Sequence, residues 1–334
     1  MLKNLVSIKE GKFKQLILAF ILCLIIICII TNPNKYINVC LNGILIFGKN
    51  ILPALLPFIF FTKLLTSTGY VEHISKYFAP LTKKFYNCPA ISSYIFTMSV
   101  LSGYPLGAKI TADLYERGII NRDEAHRICS FTSNSGPMFI VGTVGSGMLC
   151  NEIVGYIILI SHILAALLNG FIYRKYKPKP CVELHQPTKN SNSSTGNLLS
   201  ECMENSIASV LLIGGYIAIF FIITEILASL HVFSPITTLL KTIGINSEAV
   251  NGVLNGFFEI TNGCNTLAKT SLTTQIKTLL CSFVISFGGL AVSFQGLTFL
   301  NKFKISKSYF FLQKFTHAVL SMFITLILIL IIPL

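Results

Sequence analysis

Apolar residues gather into blocks along this chain, separated by short stretches that are basic or rich in glycine and proline. Four blocks are nearly unbroken: Leu16 to Ile30, Ile153 to Tyr173, Ser206 to Leu230 and Val319 to Leu334. Each approaches the ~20 residues that cross ~30 Å of hydrocarbon as a helix, so each predicts a membrane span. Other apolar segments are interrupted. Asn50 to Thr68 carries Pro53 and Pro57, and Ala90 to Tyr115 breaks at Ser102, Gly103, Tyr104, Pro105 and Gly107. Ile128 to Leu149 breaks at Ser133 to Pro137 and then carries Gly142, Gly145 and Gly147. Glu248 to Thr270 reads as interrupted at Thr261 to Asn265, and Thr278 to Leu300 as broken at Gly288 and Gly289. Non-helical backbone at membrane depth is tolerated only where protein or a watery cavity surrounds it. The interrupted segments therefore predict one shared polar centre.

The order of span, broken segment and broken span occurs twice, and weak duplication of interrupted segments points to a transporter-like binding site. Charge decides the topology. If every apolar segment crosses, the basic loop holding Arg174, Lys175, Lys177, Lys179 and Lys189 falls opposite the basic N-terminus, against the positive-inside rule. If Ala90 to Tyr115 and Glu248 to Thr270 enter and leave on one side, the conflict disappears. The N-terminal lysines, Lys76, Lys83, Lys84, Arg117, Arg122, Arg127, Lys302, Lys304, Lys307 and Lys314 then share the cytoplasmic side with that loop. The two hairpins enter from opposite faces. The predicted fold is an all-α integral membrane bundle with two inverted repeats, each holding a re-entrant helical hairpin and a broken helix. The expected division is an N-terminal transmembrane helix over 1–40, a first repeat with its linking helix over 41–173 and a cytoplasmic linker over 174–200. A second repeat over 201–300 and a C-terminal transmembrane helix over 301–334 follow.

Composition agrees. Apolar residues make up 53% of the chain and charged residues 12%, with a mean hydropathy of +0.71, unlike a soluble domain. The net charge of +13 sits between spans rather than on one soluble face, so it orients the protein in a bilayer and does not call for nucleic acid. Lys3, Lys9, Lys12 and Lys14 precede the first block as in a secretory signal. No small-residue cleavage site follows and the apolar run is long, so a retained span is expected. The ten cysteines include no CxxC pair and suggest neither zinc nor a disulfide framework.

Candidate binding residues lie at the breaks. Ser102, Gly103 and Tyr104 form the first tip, with Lys109 a turn beyond; Lys109 suits an anionic substrate, or snorkels to the interface while Tyr104 packs as an interfacial aromatic. Ser133, Asn134, Ser135 and Gly136 offer donors and acceptors beside the second break. Glu259 with Thr261, Asn262 and Asn265 forms an acid and amide cluster that binds a substrate amine or hydroxyl, takes up a coupling proton, or holds its hairpin closed. Gly288 marks the fourth break, with Ser293 and Gln295 facing the cavity after it. His162 reads as a satisfied packing residue, and Glu225 as its partner or as an outer-interface residue. G-x-S-x-G, HExxH and P-loop patterns are absent, so neither an enzyme nor an ATP-driven pump is expected. No resident cofactor is called for; a coupling proton or sodium stays open.

NILPALLPFIFF and SGYPLGAKITADLYERGIINRDEAHRICSFTSNSGPMFIVGTVG, between Asn50 and Gly147, resemble the YlbJ/SpoVV family of sporulation integral membrane proteins, which carry nucleoside-recognition or gate domains. The likeness returns more weakly at Gly256 to Cys264 and Ser286 to Gly296. The resemblance implies an arrangement similar to concentrative nucleoside transporters, whose sites lie between two hairpins and two broken helices. It implies movement of dipicolinic acid, a small planar dicarboxylate, by alternating access in the membrane surrounding the forespore. A nucleoside or nucleobase permease and a non-transporting assembly protein of the spore envelope are the other classes. Expected partners are a small anionic substrate, the lipid bilayer, and further copies of the chain or other sporulation membrane proteins, with no nucleic acid.

Overall fold

The apolar blocks are helices in the computed structural model, which describes residues 2–177 and 195–332 and has no strand among them. Helix α1 (Leu2–Thr31) is followed by α2 (Pro33–Ile46), a π-helical turn at Phe47–Ile51, and α3 (Leu52–Ser67). Pro53 falls in the first turn of α3, directly after the π-helical turn, and Pro57 lies farther inside the same helix. Next come the amphipathic α4 (Tyr70–Tyr86), α5 (Ile91–Ser102), α6 (Leu106–Glu116) and α7 (Arg122–Cys129). A π-helical stretch, Met138–Met148, then leads into α8 (Glu152–Tyr173). The second half holds α9 (Thr195–Ser229), α10 (Ser234–Thr242), α11 (Ser247–Phe258), α12 (Ile260–Ala268), α13 (Thr274–Phe287), α14 (Gly289–Leu300) and α15 (Lys307–Ile331).

Among the described residues, five helical units are long and apolar enough to cross a membrane: Pro33–Ser67, Glu152–Tyr173, Leu198–Ser229, Thr274–Leu300 and Lys307–Ile331. Their burial runs opposite to that of a soluble bundle. Phe323 and Leu330 of α15 lie on the outside, while Gln313, Lys314, His317, Ser321 and Thr325 of the same helix are buried. Lipid explains this, because it solvates leucine and phenylalanine and leaves polar side chains to pair between helices. They do pair. Ser282 on α13 meets Ser321 at 2.8 Å and accepts from Thr325 at 2.7 Å. Asn169 on α8 donates to the carbonyls of Ser130 and Gln313 at 2.7 and 3.1 Å. The chain is an integral membrane protein.

Three of the four expected breaks fall where glycine or proline marks them. The Glu248 to Thr270 segment is different: Thr261 to Asn265 is helical, within α12, and the chain leaves the helix at Glu259 instead (φ −146°, ψ 124°). The polar run was a misleading cue. Asn262 spends its amide on Thr224 Oγ1 at 2.9 Å, which leaves its own backbone free to stay helical. Glu225, expected beside His162 or at the outer interface, pairs with Lys35 at 2.8 Å. Lys314, counted among cytoplasmic loop lysines, lies inside α15 and is 2% exposed. Lys179, Lys189 and Cys181 in the linker lie outside the described residues, as do the side chains of Lys3, Lys9, Lys12 and Lys14.

Most of the loops expected on the cytoplasmic side meet one another. Arg122 donates to Lys304 O at 2.6 Å, Lys302 pairs with Glu116 at 2.9 Å, and Ser306 N donates to His126 Nε2 at 3.1 Å. Arg127 is the buried tie among them: Nε reaches Asn87 O at 3.1 Å, and Nη1 reaches Tyr176 O and Lys177 O at 2.9 and 3.0 Å. A lysine keeps the charge but cannot address carbonyls in two directions from one rigid plane. Arg127→Lys is therefore expected to lower stability by about 1–2 kcal/mol, read as a fall in unfolding temperature of the detergent-solubilised protein.

Candidate functional site

Short helices need a reason to stop inside a membrane protein, and here the reasons meet. Helix α5 ends at Gly103, whose φ of +73° suits glycine, and α6 starts after a cis Tyr104–Pro105 bond. A Cβ at Gly103 would lie 2.6 Å from Gly136 N, and one at Gly107 would lie 2.0 Å from Thr132 O. The first break is thus pressed against the second. In the other half, a Cβ at Gly289 would lie 3.0 Å from Gly256 O and 3.2 Å from Phe258 O, so the fourth break touches the third. Tyr104 joins the pairs, with its hydroxyl 3.4 Å from Ile285 O and close to Gly288.

Helices α11 and α12 are antiparallel and meet on glycine: a Cβ at Gly263 would lie 2.3 Å from Gly256 Cα. Asn255 donates to Thr266 at 3.1 Å across the pair, and Glu248 accepts from Ser271 N at 2.8 Å at its base. Glu259 sits at the turn, buried. Its carboxylate accepts from Thr261 N at 3.0 Å and Asn262 N at 2.6 Å, which caps α12 and supplies the anion that a helix start attracts.

A cavity of about 670 Å³, its open mouth included, lies where the four breaks meet. Ser102, Gly103, Tyr104, Ser135, Gly136, Glu259, Thr261 and Gln295 line it, with apolar side chains of α3 and α9 completing the wall. Ser133 lines a smaller neighbouring hollow beside Tyr104 and Gly107. Asn262 and Asn265 face a larger one of about 1070 Å³, shared with Asn50, Lys49 and Lys269. Asn134 is buried and donates to Ser99 Oγ and Phe131 O, both at 2.9 Å. Gly288 lies next to Tyr104 without lining the cavity. Lys109 does not line it either and is exposed. Helical rotation accounts for that: Gly107 faces Thr132, and two residues on the direction has turned by about 200°.

The sequence reading did not anticipate a buried polar network behind Tyr104. Ser135 N donates to His162 Nε2 at 3.0 Å, so that nitrogen carries no proton and Nδ1 donates to Ser286 Oγ at 2.7 Å. His317 Nε2 lies 3.0 Å from the His162 carbonyl and donates to it. His162 is satisfied, as expected, yet its partners belong to the second break and to the end of α13 before Gly288, so it ties two breaks together. Lys314 Nζ lies 4.0 Å from the Tyr104 ring centroid and has no hydrogen-bond acceptor. The polar stripe Gln313, Lys314, His317, Ser321 and Thr325, at helical spacing in an apolar segment, is the sequence signal that could have found this face. Among the described residues no group of three or more His, Cys, Asp or Glu could hold a metal ion.

The chain is 26% identical over 331 residues to the sporulation integral membrane protein YlbJ of Bacillus subtilis (strain 168), covering 92% of this chain and 81% of that protein. No protein-family model matches the chain, and no solved structure matches it significantly. The similarity runs over nearly the full length of the chain.

Proposed function

We propose that this YlbJ-like membrane protein is a secondary carrier that moves a small anionic metabolite, dipicolinic acid during endospore formation, by alternating access around the cavity at the four breaks. The observation that carries the reading is that convergence. Helix breaks and polar side chains gathered around one hollow inside an apolar bundle are what a carrier needs and what a purely structural bundle avoids. Dipicolinate itself is what the resemblance implies, and the membrane surrounding the forespore is the location that goes with it.

In this reading α5–α6 and α11–α12 are re-entrant hairpins. Helices of 9 to 12 residues rise only about 14–18 Å, roughly half the hydrocarbon thickness. Both ends of α5–α6 lie near the basic face, through Asn87 before α5 and Glu116 at the end of α6. The base of α11–α12 is closed by Glu248 and Ser271. The repeats are assigned to 41–173 and 201–300, with 1–40, the linker 174–200 and 301–334 outside them. The cycle is coupled to a proton or sodium ion, or runs without a coupling ion. The Glu259 carboxylate at the cavity wall favours a second reading, in which the solute bears hydroxyl or amine donors, as a nucleoside does.

The test is equilibrium binding of labelled dipicolinate to the full-length protein in nanodiscs, with unlabelled dipicolinate and uridine as competitors. Saturable binding displaced by dipicolinate and not by uridine is expected. Binding of uridine alone would move the assignment to nucleosides. Folded protein that binds neither would remove the carrier reading in favour of an assembly role.

A further inference from the structure

Two helices begin at the central cavity region with opposite provisions for their positive ends. Helix α12 brings its own carboxylate, Glu259. Helix α14 begins after Gly288, at φ +84°, with no side chain to cap it. Among the described residues the N–H groups of Gly289, Leu290 and Ala291 have neither a side-chain acceptor nor a backbone one. These unpaired donors carry the positive end of the helix dipole.

What stands beside this helix start is a lysine amine. Lys314 Nζ comes within 2.8 Å of the position a Gly288 Cβ would take, is buried, and lacks an acceptor. An ammonium at an uncapped helix N-terminus is unfavourable for both, and burial removes the water that could relieve them. The π face of Tyr104 at 4.0 Å offers partial compensation, without a carboxylate's strength. An anion accepts from the helix start and offsets the charge of a protonated Lys314 at once.

We infer that the uncapped start of α14 and Lys314 form a subsite for a carboxylate group, reached from the central cavity by displacement of the Tyr104 ring. The inference deepens the carrier reading and rests on it for the identity of the occupant. Tyr104 is the cavity-wall residue in contact with Nζ, so an entering carboxylate takes the place its ring now holds. The subsite gives the chain a preference for anions that the exposed Lys109 does not supply.

The experiment compares wild type, Lys314→Met and Lys314→Arg as full-length proteins in nanodiscs. Dipicolinate and benzoate are the probes and uridine the neutral control, read by calorimetric titration and unfolding temperature. Without ligand, Lys314→Met should unfold roughly 2–4 °C higher, because it fills the same space without an unpaired group. Its carboxylate affinity should fall about ten- to a hundredfold, with partial retention in Lys314→Arg. Unchanged affinity in Lys314→Met overturns the subsite while leaving the carrier reading standing. A ligand-free Lys314→Met protein that is less stable than wild type, or does not fold, also overturns it, since Nζ must then be partnered. Folded wild type that binds neither carboxylate overturns the subsite and the anionic solute together.

Discussion

Gly263→Ala is expected to leave little folded protein after extraction from the membrane, with a stability loss of roughly 3 kcal/mol or more. The added Cβ would lie 2.3 Å from Gly256 Cα, 2.6 Å from Gly256 N and 3.1 Å from Gly252 O. All three are backbone atoms, so no side chain can turn aside, and α11 and α12 must separate along their length. Small residues at a helix crossing in a membrane protein exist to allow that approach, because lipid supplies no hydrophobic force to replace the lost contact. Gly215→Ala is the control. Nothing lies within 4 Å of its Cβ, and alanine in the middle of α9 should be neutral or stabilising by about 0.5–1 kcal/mol. The check is the monodisperse fraction on size exclusion together with the unfolding temperature. Equal behaviour of Gly263→Ala and wild type would mean that the two helices do not meet on glycine.

Glu259→Ala should cost about 2 kcal/mol of stability, and it should remove binding only of a solute that brings an amine or hydroxyl donor to the carboxylate. The side chain does two things at once: it caps α12 through Thr261 N and Asn262 N, and it presents a carboxylate to the cavity. Glu259→Gln separates them. Glutamine keeps an oxygen that can accept from the helix start, so most of the stability should return, while the charge does not. Unfolding temperature and the affinities for dipicolinate and uridine, measured on both variants, distinguish the roles. If alanine is as stable as wild type, the cap contributes nothing; if glutamine binds solute as wild type does, the charge is not used.

The places where the chain leaves its helices were legible where the backbone itself demanded a special residue. Gly103, Gly288 and Gly289 have positive φ, and Pro105 and Pro137 flank the tips, so residue type and conformation carry the same information. Glu259 was harder. It is extended at φ −146°, which any residue adopts, and its break is held by a side-chain cap rather than by glycine or proline. The neighbouring Thr261 and Asn262 drew the prediction toward themselves although they belong to the helix.

Lys314 shows a different limit. Its distance from the start of α15 and the basic residues before it made it look like part of a loop. Its inward direction follows from which face of α15 packs against α8 and α13, and that is a tertiary fact. The sequence did contain the face as a polar stripe, but a stripe says which residues share a side and not what lies opposite. Lys109 illustrates the converse: its proximity to the tip in sequence was right, and the helical turn past Pro105 carries it away from the cavity.

The waist of α11–α12 has a mechanical consequence. Where two helices touch through side chains, rotamers can yield and absorb a displacement before it travels further. Here Gly263 rests on Gly256 backbone to backbone, Asn255 is tied to Thr266, and Glu248 straps the base to Ser271. At that waist no side chain separates the two helices, so they are expected to move together as one stiff lever. A push delivered near Lys269 should then be felt at Glu259.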